Sequence, residues 1–200
     1  MFPYVQRLRD LVLRPRETWP VLAGEDVSAS RLFTGWVLPL AAIPAVAYVL
    51  RMELFRSLFA SRADAFAAAG LGLTPLAVLA HGVALYVLGV GTVALLAWIV
   101  EILVPHFGGR GDYTAGLKIV AYSAAPYWVA SILTVFALSA LGILVGLVVL
   151  AASVYGLYLF YQGLGDVLHV PPEKRAILTV VVVLLALVVG VVIGHLVPTP

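Results

Sequence analysis

The sequence contains no cysteine and carries only 12 Lys or Arg and 10 Asp or Glu among its 200 residues. Without cysteine the chain forms no disulfides, has no thiolate nucleophile and holds no cysteine-based zinc site. Charged residues normally make up about a quarter of a soluble globular protein. Their scarcity here therefore excludes an ordinary water-soluble domain.

Recognisable catalytic motifs are also missing. No H-E-x-x-H, P-loop or G-x-S-x-G string occurs. The four histidines are scattered, and none has a histidine partner three or four residues away, which disfavours a metal site; they are His81, His106, His169 and His195. We therefore predict no catalytic residues, no metal site and no cofactor, and we expect that the protein is not an enzyme.

One literal match to a catalytic string is GRGD at residues 109–112, which fits the G-x-G-D pattern of intramembrane aspartyl proteases. Such enzymes need two aspartates that face each other. The only other aspartate near an apolar run, Asp166, lies at the end of a different run. A glycine-rich turn accounts for the glycines without catalysis.

Apolar residues dominate the rest of the chain, which is 63% hydrophobic with a mean hydropathy of +1.09. An apolar helix of roughly 20 residues crosses a hydrocarbon layer of about 30 Å. Five runs reach that length or come close to it, at about residues 32–50, 73–104, 116–138, 141–164 and 176–197. We predict an all-α membrane protein with five transmembrane helices that contact the lipid bilayer.

The distribution of Lys and Arg predicts the orientation of these helices, because short loops rich in these residues stay cytoplasmic. Nine of the 12 precede the first run or lie at the second-to-third and fourth-to-fifth connections, and three lie on the other side. We predict a cytoplasmic N-terminus and a C-terminus on the opposite side. Residues 1–30 then form a cytoplasmic amphipathic arm, and residues 31–200 form the five-span domain.

Two segments outside the runs have the apolar periodicity of amphipathic helices. One lies in the arm around residues 5–12, and the other, near residues 52–68, is predicted to be an interfacial helix on the outer side. A basic amphipathic helix suits a surface of anionic lipid. Packing of both apolar stripes on the protein's own bundle explains the pattern equally well.

Two charged residues flank the turn between the second and third runs. Glu101 precedes the turn at Gly108 and Gly109 by 7 to 8 residues, and Lys118 follows it by 9 to 10. At 1.5 Å per residue their depths differ by about half a helical turn. We predict that the two side chains meet near the cytoplasmic edge. A structural ion pair, a polar path for transport and simple solvation all stay open as roles.

The third run contains Pro126, which removes one backbone donor from the helix, with Tyr122 and Tyr127 close by. Broken helices of this kind form ion or substrate sites in transporters. A kink that only helps neighbouring helices to pack is the alternative.

The fourth run carries a polar stripe of Tyr155, Tyr158 and Gln162. Tyr155 lies too deep for an interfacial aromatic belt, so we expect it to bond to another helix or to line a cavity. Two small-xxx-small patterns, at residues 142–146 and 190–194, are predicted to bring helices close together. A homodimer through the fifth run is a further hypothesis.

Four stretches carry a resemblance to a known family: RPRETW at residues 14–19, VLPL at 37–40, LVPHFGGRGDYTAGLKIVAYSAAPYW at 103–128 and YGLYLFYQGLGDVLHVPPEKR at 155–175. Together they are similar to the Yip family of integral membrane proteins, in particular to its bacterial branch. The stretches occur in order over most of the chain. The predicted topology of five spans with a cytoplasmic N-terminus agrees with this resemblance.

The resemblance implies a non-enzymatic membrane protein that scaffolds or organises membrane partners. Eukaryotic members are associated with prenylated Rab GTPases. However, the preference for Arg over Lys, together with abundant Ala, Val, Leu and Gly, suggests a GC-rich bacterial genome, so GTPase binding does not transfer. The expected location is the bacterial inner membrane.

The expected partners are the lipid bilayer and either another membrane protein or a second copy of the chain, with no nucleic acid. The alternative function is a small-solute or ion transporter or channel. Its polar path would lie near Glu101, Lys118 and Tyr155.

Overall fold

The computed structural model describes residues 3–59, 61, 74–138 and 140–196, and the regular structure within these ranges is entirely helical. Two short helices precede five that are long and apolar enough to cross a membrane. The predicted all-α, five-span class is therefore confirmed. The helices are α1 (Pro3–Leu13), α2 (Pro15–Gly24), α3 (Ala29–Leu58), α4 (Pro75–Leu103), α5 (Tyr113–Ala130), α6 (Gly142–Asp166) and α7 (Pro172–Leu196).

Helices α1 and α2 form the N-terminal arm and are separated at Arg14. Pro15 starts α2, since proline has no N–H and is favoured in the first turn of a helix. The apolar side chains of Leu11, Trp19 and Leu22 are buried. The arm therefore packs its apolar side on the protein's own bundle.

Helix α3 is the first span, and a π-helical turn at Phe33–Val37 lies near its start. Ser28 caps the helix by accepting a hydrogen bond from the Arg31 amide at 3.4 Å. Of the interfacial helix predicted near residues 52–68, residues 52–58 continue α3 without a break. Apart from residues 59 and 61, the remainder lies outside the described residues.

The connection between α4 and α5 is compact. A 3-10 turn at Val104–Phe107 extends α4 and ends at Gly108, whose φ of 78° suits a residue without a side chain. The Asp112 carboxylate then accepts a hydrogen bond from the Ala115 amide at 2.9 Å. The aspartate of the GRGD string thus caps the N-terminus of α5.

Helix α5 lies at the centre of the bundle. Half of the residues in the most apolar stretch of this span are buried, against 11% in α7. A Cβ atom on Gly116 would lie 2.7 Å from the Ala97 carbonyl oxygen on α4, and one on Gly156 of α6 would lie 2.6 Å from the Ser123 carbonyl oxygen on α5. These two glycines allow α4 and α6 to approach α5 closely.

The predicted small-xxx-small patterns contribute less to this packing. A Cβ atom on Gly146 or on Gly190 would meet no atom of another described helix within 4 Å. Within the described part of the chain, these two glycines therefore do not bring helices together. The homodimer through the fifth span stays a prediction.

The α4–α5 and α6–α7 connections lie side by side at one end of the bundle. The Arg110 amide donates a hydrogen bond to the Leu168 carbonyl at 2.8 Å. The arm packs at the same end, because Trp19 lies against Gly163, close to the end of α6. We call this end of the bundle the arm end.

Candidate functional site

A polar cluster lies where the arm meets α5. Lys118 and Tyr122 are about one turn apart on α5 and share one face of the helix. Arg7 and Glu25 approach them from the arm. These four residues, which we call the arm junction, link the arm to the central span.

Lys118 is only 7% exposed. Its Nζ atom donates hydrogen bonds to the carbonyl oxygens of Leu22, at 3.1 Å, and of Glu25, at 2.5 Å. These carbonyls belong to the C-terminal end of α2, where oxygens lack α-helical donors and carry partial negative charge. An ammonium group is costly in an apolar interior unless it has such partners. The end of α2 thus compensates the charge of Lys118.

Tyr122 is 1% exposed, and its hydroxyl accepts a hydrogen bond from an Arg7 guanidinium nitrogen at 3.1 Å. Another guanidinium nitrogen of Arg7 contacts the Glu25 carboxylate at 2.7 Å. Glu25 therefore binds two cations: its carboxylate pairs with Arg7, and its backbone carbonyl accepts a hydrogen bond from Lys118. The four residues form one continuous hydrogen-bonded network.

Two tryptophans enclose the ring of Tyr122. Trp19 on α2 meets it edge-on, with centroids 6.3 Å apart, and Trp36 in the π-helical turn of α3 meets it at 4.7 Å. Such aromatic pairs add packing energy beyond their buried area. The Trp36 indole also donates a hydrogen bond to the Ala121 carbonyl at 3.2 Å. The Trp19 indole nitrogen is buried without a hydrogen-bond partner among the described residues.

The polar stripe on α6 also reaches the arm. The Tyr155 hydroxyl donates a hydrogen bond to the Val12 carbonyl, near the end of α1, at 2.7 Å. Tyr158 packs beside Tyr155, with ring centroids 5.7 Å apart, and accepts a hydrogen bond from the Gln162 amide. Tyr155 therefore bonds to another helix, which is one of the two roles expected for it.

The predicted contact between Glu101 and Lys118 is not formed. Gly116 faces α4, and Lys118 is two residues further along α5, about 200° around the helix. Lys118 therefore points away from the helix that carries Glu101. The pair is also offset in height: Gly116 lies level with Ala97, so Glu101 is closer to the connection and Lys118 further from it, by about 9 Å along the helix axis.

The other candidates on α5 lie outside the junction. Pro126 is buried inside the helix, whereas Tyr127 is 41% exposed. Sequence reasoning missed Arg7, Glu25 and Trp36 as partners of this helix. Trp19 carried a signal, since it ends the RPRETW stretch on which the family resemblance rests.

A polar cleft of about 460 Å³ lies between α1 and α2, next to the junction. Exposed Arg14 and Glu17 line it and face each other at 3.7 Å, and Asp10 lies beside them. Among the described residues, no group of three or more His, Asp or Glu side chains could hold a metal ion. The cleft therefore offers a surface of mixed charge rather than a metal centre.

The fold and the junction together describe a five-span helical membrane protein whose N-terminal arm is docked on its central helix. The Yip1 domain profile matches residues 9–194, which include all five spans and most of the arm. The chain therefore belongs to the Yip1 domain family. No curated protein and no solved structure matches the chain.

Proposed function

We propose that the protein is a non-enzymatic scaffold of the bacterial inner membrane, which presents its folded arm to a membrane-protein partner on the cytoplasmic side. The observation that carries this proposal is the placement of Lys118. This buried cation donates its hydrogen bonds to the arm, at the Leu22 and Glu25 carbonyls. Such use of a costly buried charge supports a structural task, namely holding the arm in a defined position.

The residues of the alternative transport path support the same proposal. Lys118 and Tyr155 both bond to the backbone of the arm. Glu101 lies on α4 and pairs with neither of them. A continuous polar path needs these groups to face one another across a cavity, and the polar cleft between α1 and α2 is lined by none of them.

The polar cleft between α1 and α2 is the surface on which we place the partner. Asp10, Arg14 and Glu17 present both signs of charge there, and the Arg14–Glu17 pair is largely solvent-exposed. Exposed pairs of this kind contribute little to stability. They are available to a partner segment that carries complementary charges.

Site-specific photocrosslinking in native membranes tests this proposal. A photoreactive residue at Glu17 should give one recurring adduct with a membrane protein, and the adduct should be lost in Lys118→Met, which frees the arm. The matched control is Lys174→Met, since Lys174 is the only other lysine and is exposed. A probe at Ile143, which is 83% exposed on α6, reports random collisions.

Two outcomes would overturn the proposal. The first is an adduct pattern at Glu17 that equals the pattern at Ile143 in every variant. The second is loss of solute uptake or efflux in Glu101→Gln at normal expression, since a scaffold has no use for that carboxylate in transport.

A further inference from the structure

Helix α1 carries two groups of apolar side chains, and only one of them packs on the bundle. Leu11 is buried, and Leu8 packs against the same core. At about 100° per residue, a second group occupies another side of the helix. It consists of Val5, Arg9, Val12 and Leu13. Its three apolar side chains are exposed, and Leu13 is the most exposed of them at 66%. We call this second group the outer face of α1.

The end of α1 lies level with the middle of α6. The Val12 carbonyl accepts a hydrogen bond from the Tyr155 hydroxyl at 2.7 Å. Tyr155 precedes Asp166, the last residue of α6, by 11 residues, which is about 16 Å along the helix axis. Helical side chains lean towards the N-terminus of their helix, which for α6 is the far end of the bundle. The hydroxyl therefore lies at least as far from the arm end as the backbone of Tyr155.

This depth places the end of α1 beside lipid chains. The 25 residues of α6 span about 37 Å, and the hydrocarbon of a bilayer is about 30 Å thick. Even if the whole excess of about 7 Å lies at the arm end, Val12 is about 9 Å inside the hydrocarbon boundary. An interfacial amphipathic helix buries its apolar face to a similar depth, about 5 to 10 Å. Acyl chains rather than water therefore surround this end of the outer face.

Arg9 is the charged residue of the outer face. The ion pairs of the arm use Arg7 and Arg14. Arg9 has no carboxylate partner in the described part of the chain. An arginine side chain keeps its apolar stem among acyl chains and extends its charged end to the headgroups. There the guanidinium meets phosphate, which it binds with charge-assisted hydrogen bonds. The outer face therefore suits a phospholipid layer in both its apolar and its charged parts.

We propose that the outer face of α1 anchors the arm in the phospholipid leaflet at the arm end. Val12 and Leu13 insert among the acyl chains, and the Arg9 guanidinium extends to the phosphates of the same leaflet. Apolar burial supplies the binding, and the hydrogen bond to Tyr155 sets the depth. The outer face shares no residue with the polar cleft between α1 and α2. The anchor therefore does not depend on the proposed function.

Electron paramagnetic resonance of the full chain in liposomes of phosphatidylethanolamine and phosphatidylglycerol tests the anchor. Because the chain has no cysteine, Leu13→Cys carries a single nitroxide label. Oxygen concentrates in hydrocarbon and a water-soluble nickel chelate stays in water, so the ratio of their collision rates with the label reports its depth. We expect the label at Leu13 to lie about 5 to 10 Å inside the hydrocarbon boundary.

Two further labels bracket this result. Leu157→Cys is exposed on α6, two residues from Tyr155, and reports the hydrocarbon at that level. Glu17→Cys lines the polar cleft and reports water. The oxygen-to-nickel ratio at Leu13 should match the ratio at Leu157 and exceed the ratio at Glu17 several-fold.

The part of Arg9 is tested in the Leu13→Cys background. Arg9→Glu should lower the oxygen-to-nickel ratio, because it places a carboxylate among lipid phosphates. Arg9→Lys should leave the ratio unchanged, since lysine also extends a cation to the headgroups. A ratio that is the same in both variants would contradict the role given to Arg9.

Two outcomes at Leu13 would overturn the anchor. A ratio as low as that at Glu17 would mean that the outer face lies in water. Rare collisions with both reagents would mean that protein, such as a second copy of the chain, covers this face. Gel filtration establishes that each labelled variant is folded, and Val12→Cys gives the same measurement if Leu13→Cys does not fold.

Discussion

Lys118 is a lysine within a membrane-spanning helix that has carbonyl partners instead of a carboxylate. The Leu22 and Glu25 oxygens that it contacts belong to the end of α2, where unpaired carbonyls need donors. The same two hydrogen bonds therefore compensate the buried charge of Lys118 and supply donors to carbonyls at the C-terminal end of α2. Together with the Arg7–Tyr122 and Tyr155–Val12 hydrogen bonds, Lys118 holds the arm in place.

Replacing this residue should release the arm. Lys118→Met keeps the length of the side chain but removes the donor to the Glu25 carbonyl and leaves the Leu22 carbonyl with only the Glu25 amide at 3.4 Å, which costs about 1 to 3 kcal/mol. We expect the amide hydrogens of residues 15–25 to exchange roughly 5- to 100-fold faster, as measured by hydrogen exchange and mass spectrometry in detergent. Lys174→Met should leave this exchange unchanged. Equal protection in both variants would contradict the prediction.

A double-mutant cycle tests whether Lys118 points away from Glu101. Because Glu101 and Lys118 do not form an ion pair, the effects of Glu101→Gln and Lys118→Met on the free energy of arm opening should add within about 0.5 kcal/mol. Hydrogen exchange of the arm in the two single variants and the double variant gives the coupling energy. A coupling above about 1 kcal/mol would restore the predicted pair.

At the scale of helices, hydropathy predicts more than the existence of the spans. The central span, Tyr113–Phe136, has the lowest mean hydropathy, 1.6, and is the most buried. The outermost span, Pro172–Val192, has the highest, 2.9, and is the least buried. Lipid tolerates only apolar side chains, whereas a helix covered by its neighbours can carry polar groups.

The five spans could be predicted from sequence because each is a long apolar run with at most one charged residue. The docking of the arm could not, since its apolar stripe fits a lipid surface as well as it fits a bundle. The direction of Lys118 depends on the contact of Gly116 with Ala97, and nothing in the hairpin sequence fixes that contact. Likewise, Gly146 matches a packing motif by spacing alone and contacts no other helix in the described part of the chain.

Two glycines of α6 should respond very differently to the same substitution. In Gly156→Leu the new Cβ atom meets the Ser123 carbonyl at 2.6 Å, so α5 and α6 must separate. Overpacking of this kind costs about 1 to 3 kcal/mol or more. We expect a melting temperature lower by at least several degrees in detergent, as measured by circular dichroism.

Gly146→Leu is the matched control for this prediction. It lies on the same helix, and among the described residues no other helix has an atom within 4 Å of its Cβ position. Its effect should stay within about 0.5 kcal/mol, as for other exposed positions. A fall in melting temperature as large as that of Gly156→Leu would mean that Gly146 packs against a second copy of the chain.

At the scale of the whole molecule, the distribution of Lys and Arg predicts which end of the bundle faces the cytoplasm. The arm lies at the same end as the α4–α5 and α6–α7 connections, which are joined there by the hydrogen bond from the Arg110 amide to the Leu168 carbonyl. This end carries nine of the 12 Lys and Arg residues, by their places in the sequence. Because short basic segments stay in the cytoplasm, we predict that the arm end faces the cytoplasm.

The absence of cysteine makes this orientation directly measurable, since each introduced cysteine reports one position. Arg16→Cys and Arg110→Cys place a thiol at the exposed surface of the arm end, and Ser61→Cys places one beyond the far end of α3. In intact bacterial cells, a membrane-impermeant maleimide applied from outside should label only Ser61→Cys. Permeabilised membranes should allow labelling of all three.

The three variants also distinguish an inverted protein from one that inserts in both directions. An inverted chain would label Arg16→Cys and Arg110→Cys in intact cells and leave Ser61→Cys unlabelled. Partial labelling of all three would mean that the charge bias does not suffice to select one orientation. Inversion would place the arm junction outside the cytoplasm in every molecule, and insertion in both directions would do so in only part of them, whereas the contacts of Lys118 within the chain would be unaffected.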